Sequence, residues 1–242
     1  MSTQLDPASL PADLLYAVET GGDVERLRAY LTSLEQSRLE RALTGRADKL
    51  AFWLNCYNAY THLLLSDEPS ALEGGPLERW KFFARDRVPV AGVWLSLADI
   101  HHGMLRGSKH PLGLGYLPRP FPSPFERRFR VERVDPRVHF ALKTGGEHDP
   151  PLMVYSSRDI DEGLDFTAEW FLSRNVDYTP EESVVTIPRC FIRYRGDFGG
   201  TASILELLRS YDVIPAEARP TIEYKPNEGG EANPLRTEAP QR

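Results

Sequence analysis

Cysteine is scarce in this chain. Only Cys56 and Cys190 occur among 242 residues. That is too few for a disulfide framework, and no paired spacing of a zinc site exists. Isolated thiols fit a reducing compartment, so the expected location is the cytoplasm. No run of eighteen apolar residues is present, which argues against a membrane-spanning helix, and no membrane partner is expected. Residues Met1 to Pro7 lack the basic and apolar regions of a signal peptide. No Lys/Arg run dominates and the net charge is -6, which argues against a nucleic-acid partner. There is no phosphate-loop motif, no Gly-x-Gly-x-x-Gly after a strand and no Gly-x-Ser-x-Gly elbow. No cofactor is expected on these grounds.

What remains is an ordinary composition, 41% hydrophobic and 26% charged. A single domain of this length buries roughly three-quarters of its unfolded surface and needs no staple. The most informative stretch runs from Ala51 to Leu65. It reads as a helix apolar on nearly every side, and therefore buried. Yet Asn55, Asn58 and His62 fall three and four residues apart on one face. Polar groups on a core helix must find partners. The stripe is either a structural network that locks the helix to neighbouring loops or one wall of a polar pocket.

Elsewhere the apolar spacing predicts a helix over 23–43 with Asp23 as its N-cap, ended by Gly45. The buried helix follows, over about 48–66. A helical turn is predicted over 78–84. Val88 to Leu95 predicts a hairpin turning at Ala91-Gly92. Ser96 and Asp99 form a capping-box variant that starts a helix to Arg106. Residues 107–130 carry five prolines interleaved with glycines, so no regular element is expected there. Phe121, Phe125 and Phe129 are expected to pack this excursion against the body. A helix is predicted over 159–174, strands near 176–178 and 184–187, and helix again at 204–208. The pattern predicts an α+β fold, a helix-rich single domain over 1–225 with a small, mainly antiparallel sheet. A disordered tail is expected over 226–242.

Three groups of residues can carry chemistry. The first is the Asn55/Asn58 stripe. The second is Asp99, His102 and Arg106, which α-helical spacing puts on one face; Asp99 can then fix the His102 tautomer. The bland alternative is a buried ion-pair network or a solvated face. His101 is expected to point elsewhere. The third is His139, followed by the loop 143–151 with Gly145-Gly146, Glu147, His148 and Asp149. Three adjacent residues rarely all turn toward one ion, so no metal is expected.

The order of four motifs then carries a resemblance. These are Phe52-Trp-Leu-Asn-Cys-Tyr-Asn58, Ser96-Leu-Ala-Asp-Ile-His-His-Gly-Met-Leu-Arg106, Asp135-Pro-Arg-Val-His-Phe-Ala-Leu142 with Pro150-Pro151, and Tyr194-Arg-Gly-Asp-Phe198. Together, over about 50–211, they resemble the domain of unknown function 547 family, which implies no settled activity. The family pattern runs Asn-Cys-Gly, two residues, then Ser-Cys-Pro-Pro. Here those places hold Lys143-Thr144-Gly145 and His148-Asp149-Pro150-Pro151, so both cysteines are replaced. The family also tends to have Glu where His101 stands. A thiol nucleophile at these positions is therefore ruled out for this chain, while Thr144 keeps a hydroxyl. Matched residues include Trp53, His102, His139, Tyr194 and Asp197.

Two readings follow. One is a binding or scaffold module built around a buried Asn/His/Asp network, with the Pro-rich segment as a partner surface. The other is a non-thiol hydrolase or acyl-transfer enzyme on a small peptide-like or amide substrate. There His102, His139 and Asp99 would be catalytic, and Asn55, Asn58, Arg106 and Thr144 would bind the ligand. In either case the partner is a small molecule or peptide. His102 and His139 are expected within roughly 10 Å of each other, with His148 at the rim.

Overall fold

The computed structural model describes residues 5–146 and 149–226. Glu147, His148 and the expected tail from residue 227 onward lie outside the described residues. Residues 1–20 are short on apolar pattern, yet α1 spans Leu10–Thr20. Pro11 lies in its first turn, where a missing N–H costs nothing. Leu10, Leu14 and Leu15 bury one face. The single helix predicted over 23–43 is two, α2 (Val24–Ser33) and α3 (Gln36–Ala42), because Leu34 and Glu35 are extended. Asp23 does cap α2, accepting from the Arg26 N–H at 3.2 Å.

Helix α4 (Arg46–Asp67) is the axis of the molecule, and every residue from Leu50 to Thr61 is buried. Each large apolar side chain enclosed there contributes about 1.5–3 kcal/mol relative to exposure. Gly45 opens α4 as its N-cap, with the Asp48 carboxylate accepting from the Gly45 N–H at 3.1 Å. A 3₁₀ turn (Pro69–Leu72) and α5 (Gly75–Ala84) follow. The hairpin β1 (Asp86–Val90) and β2 (Val93–Ser96) is antiparallel. Its turn residues Ala91 and Gly92 have φ of 49° and 76°, the mirror-image turn that matches strand twist. Their amides bond Leu31 O and Thr32 O at 2.9 Å, which seats the turn on the end of α2.

Asp99–Leu105 is a π-helix. Next come α6 (Pro124–Phe129) and α7 (Val138–Ala141). Helix α6 corrects the expectation of no regular element over 107–130. Ser123 caps it by accepting from Glu126 N–H at 3.0 Å, and Pro124 takes the one helical position where proline fits. Phe125 and Phe129 are buried as expected, whereas Phe121 is 99% exposed. Helix α8 (Ile160–Asn175) leads to β3 (Asp177–Thr179), β4 (Val184–Ile187), α9 (Cys190–Arg193), α10 (Thr201–Ser210) and β5 (Thr221–Tyr224). In the second sheet β3 and β4 are antiparallel, and β5 adds parallel to β4.

The result is a helix-rich α+β fold with two small sheets. One apolar cluster surrounds α4, and a second joins α8, β4, α9 and α10. The single turn α7 gives Val138 and Ala141 to the first cluster and Phe140 to the second. His139 therefore stands at the seam. Among the described residues no helix is long and apolar enough to cross a membrane.

Candidate functional site

The π-helix decides which histidine faces the seam. Its bonds run five residues back, as in Arg106 N–H to His101 O at 3.1 Å and Ser108 N–H to Gly103 O at 2.9 Å. More residues are wound per turn than the α-helical spacing assumes. His101 and His102 consequently point the same way, their rings stacked at 4.4 Å with 24° between planes. His101 belongs to the site, contrary to the expectation that it points elsewhere.

Asp99 turns to a different task. Its carboxylate accepts from the Ser96 hydroxyl at 2.7 Å, from the Ser96 N–H at 3.1 Å and from Arg119 at 2.8 Å. The expected capping box is present, but Asp99 does not orient His102. The carboxylate at the site is Asp197, whose side chain is fully enclosed with that of Arg106. Arg106 Nε donates to Asp197 Oδ2 at 2.5 Å, and the same oxygen lies 3.0 Å from His139 Nε2. The ring of Tyr194 stacks flat on His139 at 4.1 Å and lies 4.6 Å below the Arg106 guanidinium. The sequence signal for Asp197 and Tyr194 was the fourth motif; nothing in periodicity pointed to them.

Helix α7 is itself held in place by Asp135, which is buried. Its carboxylate accepts from the Arg137 N–H and Nε at 3.0 Å and also meets Arg46. The chain on the other side of the site is held by Leu114, whose carbonyl accepts from the Gly196 N–H at 2.7 Å. Gly115 packs so closely that a Cβ there would lie 2.5 Å from Asp197 N. Helix α4 supplies Tyr57, whose ring meets His101 edge-on at 6.2 Å.

The hydrogen bonds fix the ring tautomers. Burial raises the Asp197 pKa, but the bonds from His139 and Arg106 outweigh it and hold the group below the usual carboxylate range. An ionised carboxylate only accepts, so His139 Nε2 carries the proton. Burial holds the His139 pKa below its ordinary value despite Asp197, so the ring is neutral and its Nδ1 is an acceptor. That Nδ1 lies 3.4 Å from His101 Nε2, a long contact in which His101 must donate. His101 is also kept neutral, by burial first and then by the neighbouring His102, His139 and Arg106. Its Nδ1 therefore bears a lone pair. His102 is the reverse. Arg106 Nη1, which can only donate, lies 2.8 Å from His102 Nδ1, so the proton sits on Nε2. Burial and Arg106 push its pKa down to about 3. Both residues are partly exposed, and neither His101 Nδ1 nor His102 Nε2 has a partner among the described residues.

The two asparagines do not line this group. Asn55 donates to Tyr155 O at 2.7 Å and accepts from Tyr155 N–H at 2.8 Å. Asn58 donates to Ala141 O and accepts from Lys143 N–H, both at 3.0 Å. Each amide clamps a loop to α4, the arrangement that the structural alternative describes. His62 does not join them; it is 42% exposed, 4.0 Å from Glu19. The structure brings His102 and His139 together through His101, by centroid steps of 4.4 and 5.5 Å. Thr144 is exposed, and its hydroxyl and N–H each reach the Asp149 carboxylate at 2.8 Å. Thr144 and Asp149 are thus bonded to each other. Among the described residues no group of three or more His, Cys, Asp or Glu is arranged to hold a metal ion.

No curated protein and no solved structure matches the chain. A family model described as "Protein of unknown function, DUF547" matches residues 41–172. The matched span includes α4, the π-helix with His101, His102 and Arg106, and α7 with His139; Tyr194 and Asp197 follow it. More than half of the chain is matched, and the protein belongs to the DUF547 family.

Proposed function

We propose that the histidine cluster is an acid–base site that hydrolyses an amide or ester bond in a small, peptide-like substrate, or transfers its acyl group. One observation carries this reading: two stacked, partly exposed imidazoles present opposite functions, a lone pair on His101 Nδ1 and an N–H on His102 Nε2. A water placed between His101 and a carbonyl carbon loses its proton to Nδ1 as its oxygen bonds to the carbon. The carbonyl oxygen takes the developing charge and accepts from His102 Nε2–H. A neutral donor suits this role because it does not surrender its proton to the oxygen at once. The His101 imidazolium is stabilised through His139 by the Asp197 carboxylate, then returns the proton to the leaving nitrogen or oxygen. His139 and Asp197 act as positioning residues in this scheme, with Arg106 fixing both Asp197 and His102.

The test is turnover of short-chain p-nitrophenyl esters and amino-acid p-nitroanilides. His101→Gln and His102→Gln each lower the rate by roughly 10²–10⁴, with unchanged melting. No turnover by the wild-type protein, or turnover indifferent to both substitutions, overturns the reading.

A second reading, a binding or scaffold module without turnover, draws on two enclosed atoms. Arg106 Nη2 and Asp197 Oδ1 have no partner among the described residues, a donor and an acceptor that suit a small polar ligand or an ordered water. Ligand retention by a chain that turns nothing over selects it.

A further inference from the structure

The 107–130 segment carries a surface that the fold does not use. Leu112 is 85% and Phe121 99% exposed, and Leu114, Tyr116 and Leu117 are also exposed. The segment is well held. His110 N–H bonds Leu117 O at 2.9 Å and Arg119 N–H bonds Ser108 O at 2.7 Å. Lys109 pairs with Pro118 as an isolated bridge. Leu114 and Phe121 have φ of 50° and 51°, a left-handed conformation unfavourable for side chains of this kind. The chain thus adopts an unfavourable backbone conformation at Leu114 and Phe121 while both side chains stay exposed. Such a patch marks an interaction surface.

Charge identifies what it meets. Residues 107–130 contain Lys109, Arg119, Arg127, Arg128 and Arg130 against one acid, Glu126, in a chain of net charge -6. Arg119 and Arg128 are engaged by Asp99 and Glu40, and Arg130 by Ser108. Among the described residues Lys109 and Arg127 have no ionic partner, and Arg127 bonds the carbonyl of Pro122, next to Phe121. Half-buried Lys109 and exposed Arg127, neither with an ionic partner among the described residues, thus bracket the apolar tip in sequence. Exposed apolar side chains bracketed by Lys and Arg without ionic partners are the composition of a surface that sits at an anionic lipid interface.

We propose that this tip docks on an anionic bilayer, with Leu112, Leu117 and Phe121 at headgroup level and Lys109 and Arg127 on the lipid phosphates. No spanning helix is needed, so the contact departs from the sequence-based expectation of no membrane partner. The tip is tied to the chain carrying Asp197 through Leu114 O and Gly196 N–H at 2.7 Å. The proposal does not depend on turnover at the histidines.

The experiment is co-sedimentation of the full chain with phosphatidylcholine vesicles, alone or with about a third phosphatidylserine. Binding should need phosphatidylserine, weaken as salt rises, and fall about tenfold or more in both Leu112→Ser/Phe121→Ser and Lys109→Glu/Arg127→Glu. Trp80→Ser, an exposed aromatic on α5, should bind as the wild type does. Circular dichroism checks that each variant is folded, and the salt series on the wild type stands without any variant. Three results overturn the proposal: no sedimentation with either vesicle, sedimentation equal in wild type and both variant pairs, or a wild-type dimer that Leu112→Ser/Phe121→Ser dissolves without vesicle binding. The last assigns the face to a second copy of the chain.

Discussion

Arg106 Nη1 lies 2.8 Å from His102 Nδ1, and a guanidinium in that position forbids a second proton on the ring. Burial and this contact push the His102 pKa down to about 3. In a ¹⁵N-edited NMR titration, the His102 ring should keep the chemical shifts of a neutral Nε2–H tautomer from pH 8 to pH 5. A midpoint near 6.5 would remove the donor role.

The same histidines link stability to pH. His101, His102 and His139 all have folded pKa values below the ordinary 6.5. Above 6.5 both folded and unfolded chains are neutral at these rings, and the full stability is present. As pH falls below 6.5 the unfolded chain binds protons that the folded chain refuses. Stability then drops by about 1.4 kcal/mol per pH unit for each such ring until the folded pKa is reached. Below pH 4 the depressed carboxylates Asp197 and Asp99 add to the loss. Urea midpoints at pH 7.5, 6 and 5 check this, and a flat series contradicts it.

Replacing Asn58 by Leu strands Ala141 O and Lys143 N–H, which the amide satisfies at 3.0 Å each. The expected cost is about 1–3 kcal/mol, read from urea unfolding. Unchanged stability would mean that water satisfies both groups.

At Gly115 the backbone has φ of 83°, and a Cβ would lie 2.5 Å from Asp197 N. Gly115→Ala should shift the segment carrying Asp197 and cost about 1–3 kcal/mol. Its second readout is the His139 ring: with Asp197 displaced, the Nε2 proton should exchange faster with solvent than in the wild type.

Neither thiol should react in the folded chain. Burial pushes the Cys56 pKa far up and that of Cys190 up to about 12, so thiolate is negligible at neutral pH. A thiol reagent should label both only after denaturation. Rapid native labelling at Cys56 would contradict the packing of α4.

The extent to which the sequence revealed this site depended on which periodicity was in force. Helix α4 was legible because its apolar residues cover every face, and so were the hairpin at Ala91-Gly92 and the Ser96–Asp99 box. His101 was not, since α-helical spacing groups Asp99, His102 and Arg106, and five-residue bonding regroups them. The split of α2 from α3 at Leu34–Glu35 leaves no mark in the apolar spacing. Strand β5 was missed because Thr221–Tyr224 alternates exposed and half-buried residues and draws its order from β4. Asp197 came from motif order alone, because its partners His139 and Arg106 are 58 and 91 residues away.

Five-residue bonding from Asp99 to Leu105 amounts to surplus chain, wound in where an ordinary helix would do with less. The pairing of His101 with His102 is therefore a matter of counting as much as of side-chain chemistry. Shortening that stretch by one residue while keeping both histidines would let the winding relax to the common form. His101 would swing off the stack, and the chain would retain all of its site residues without retaining the site.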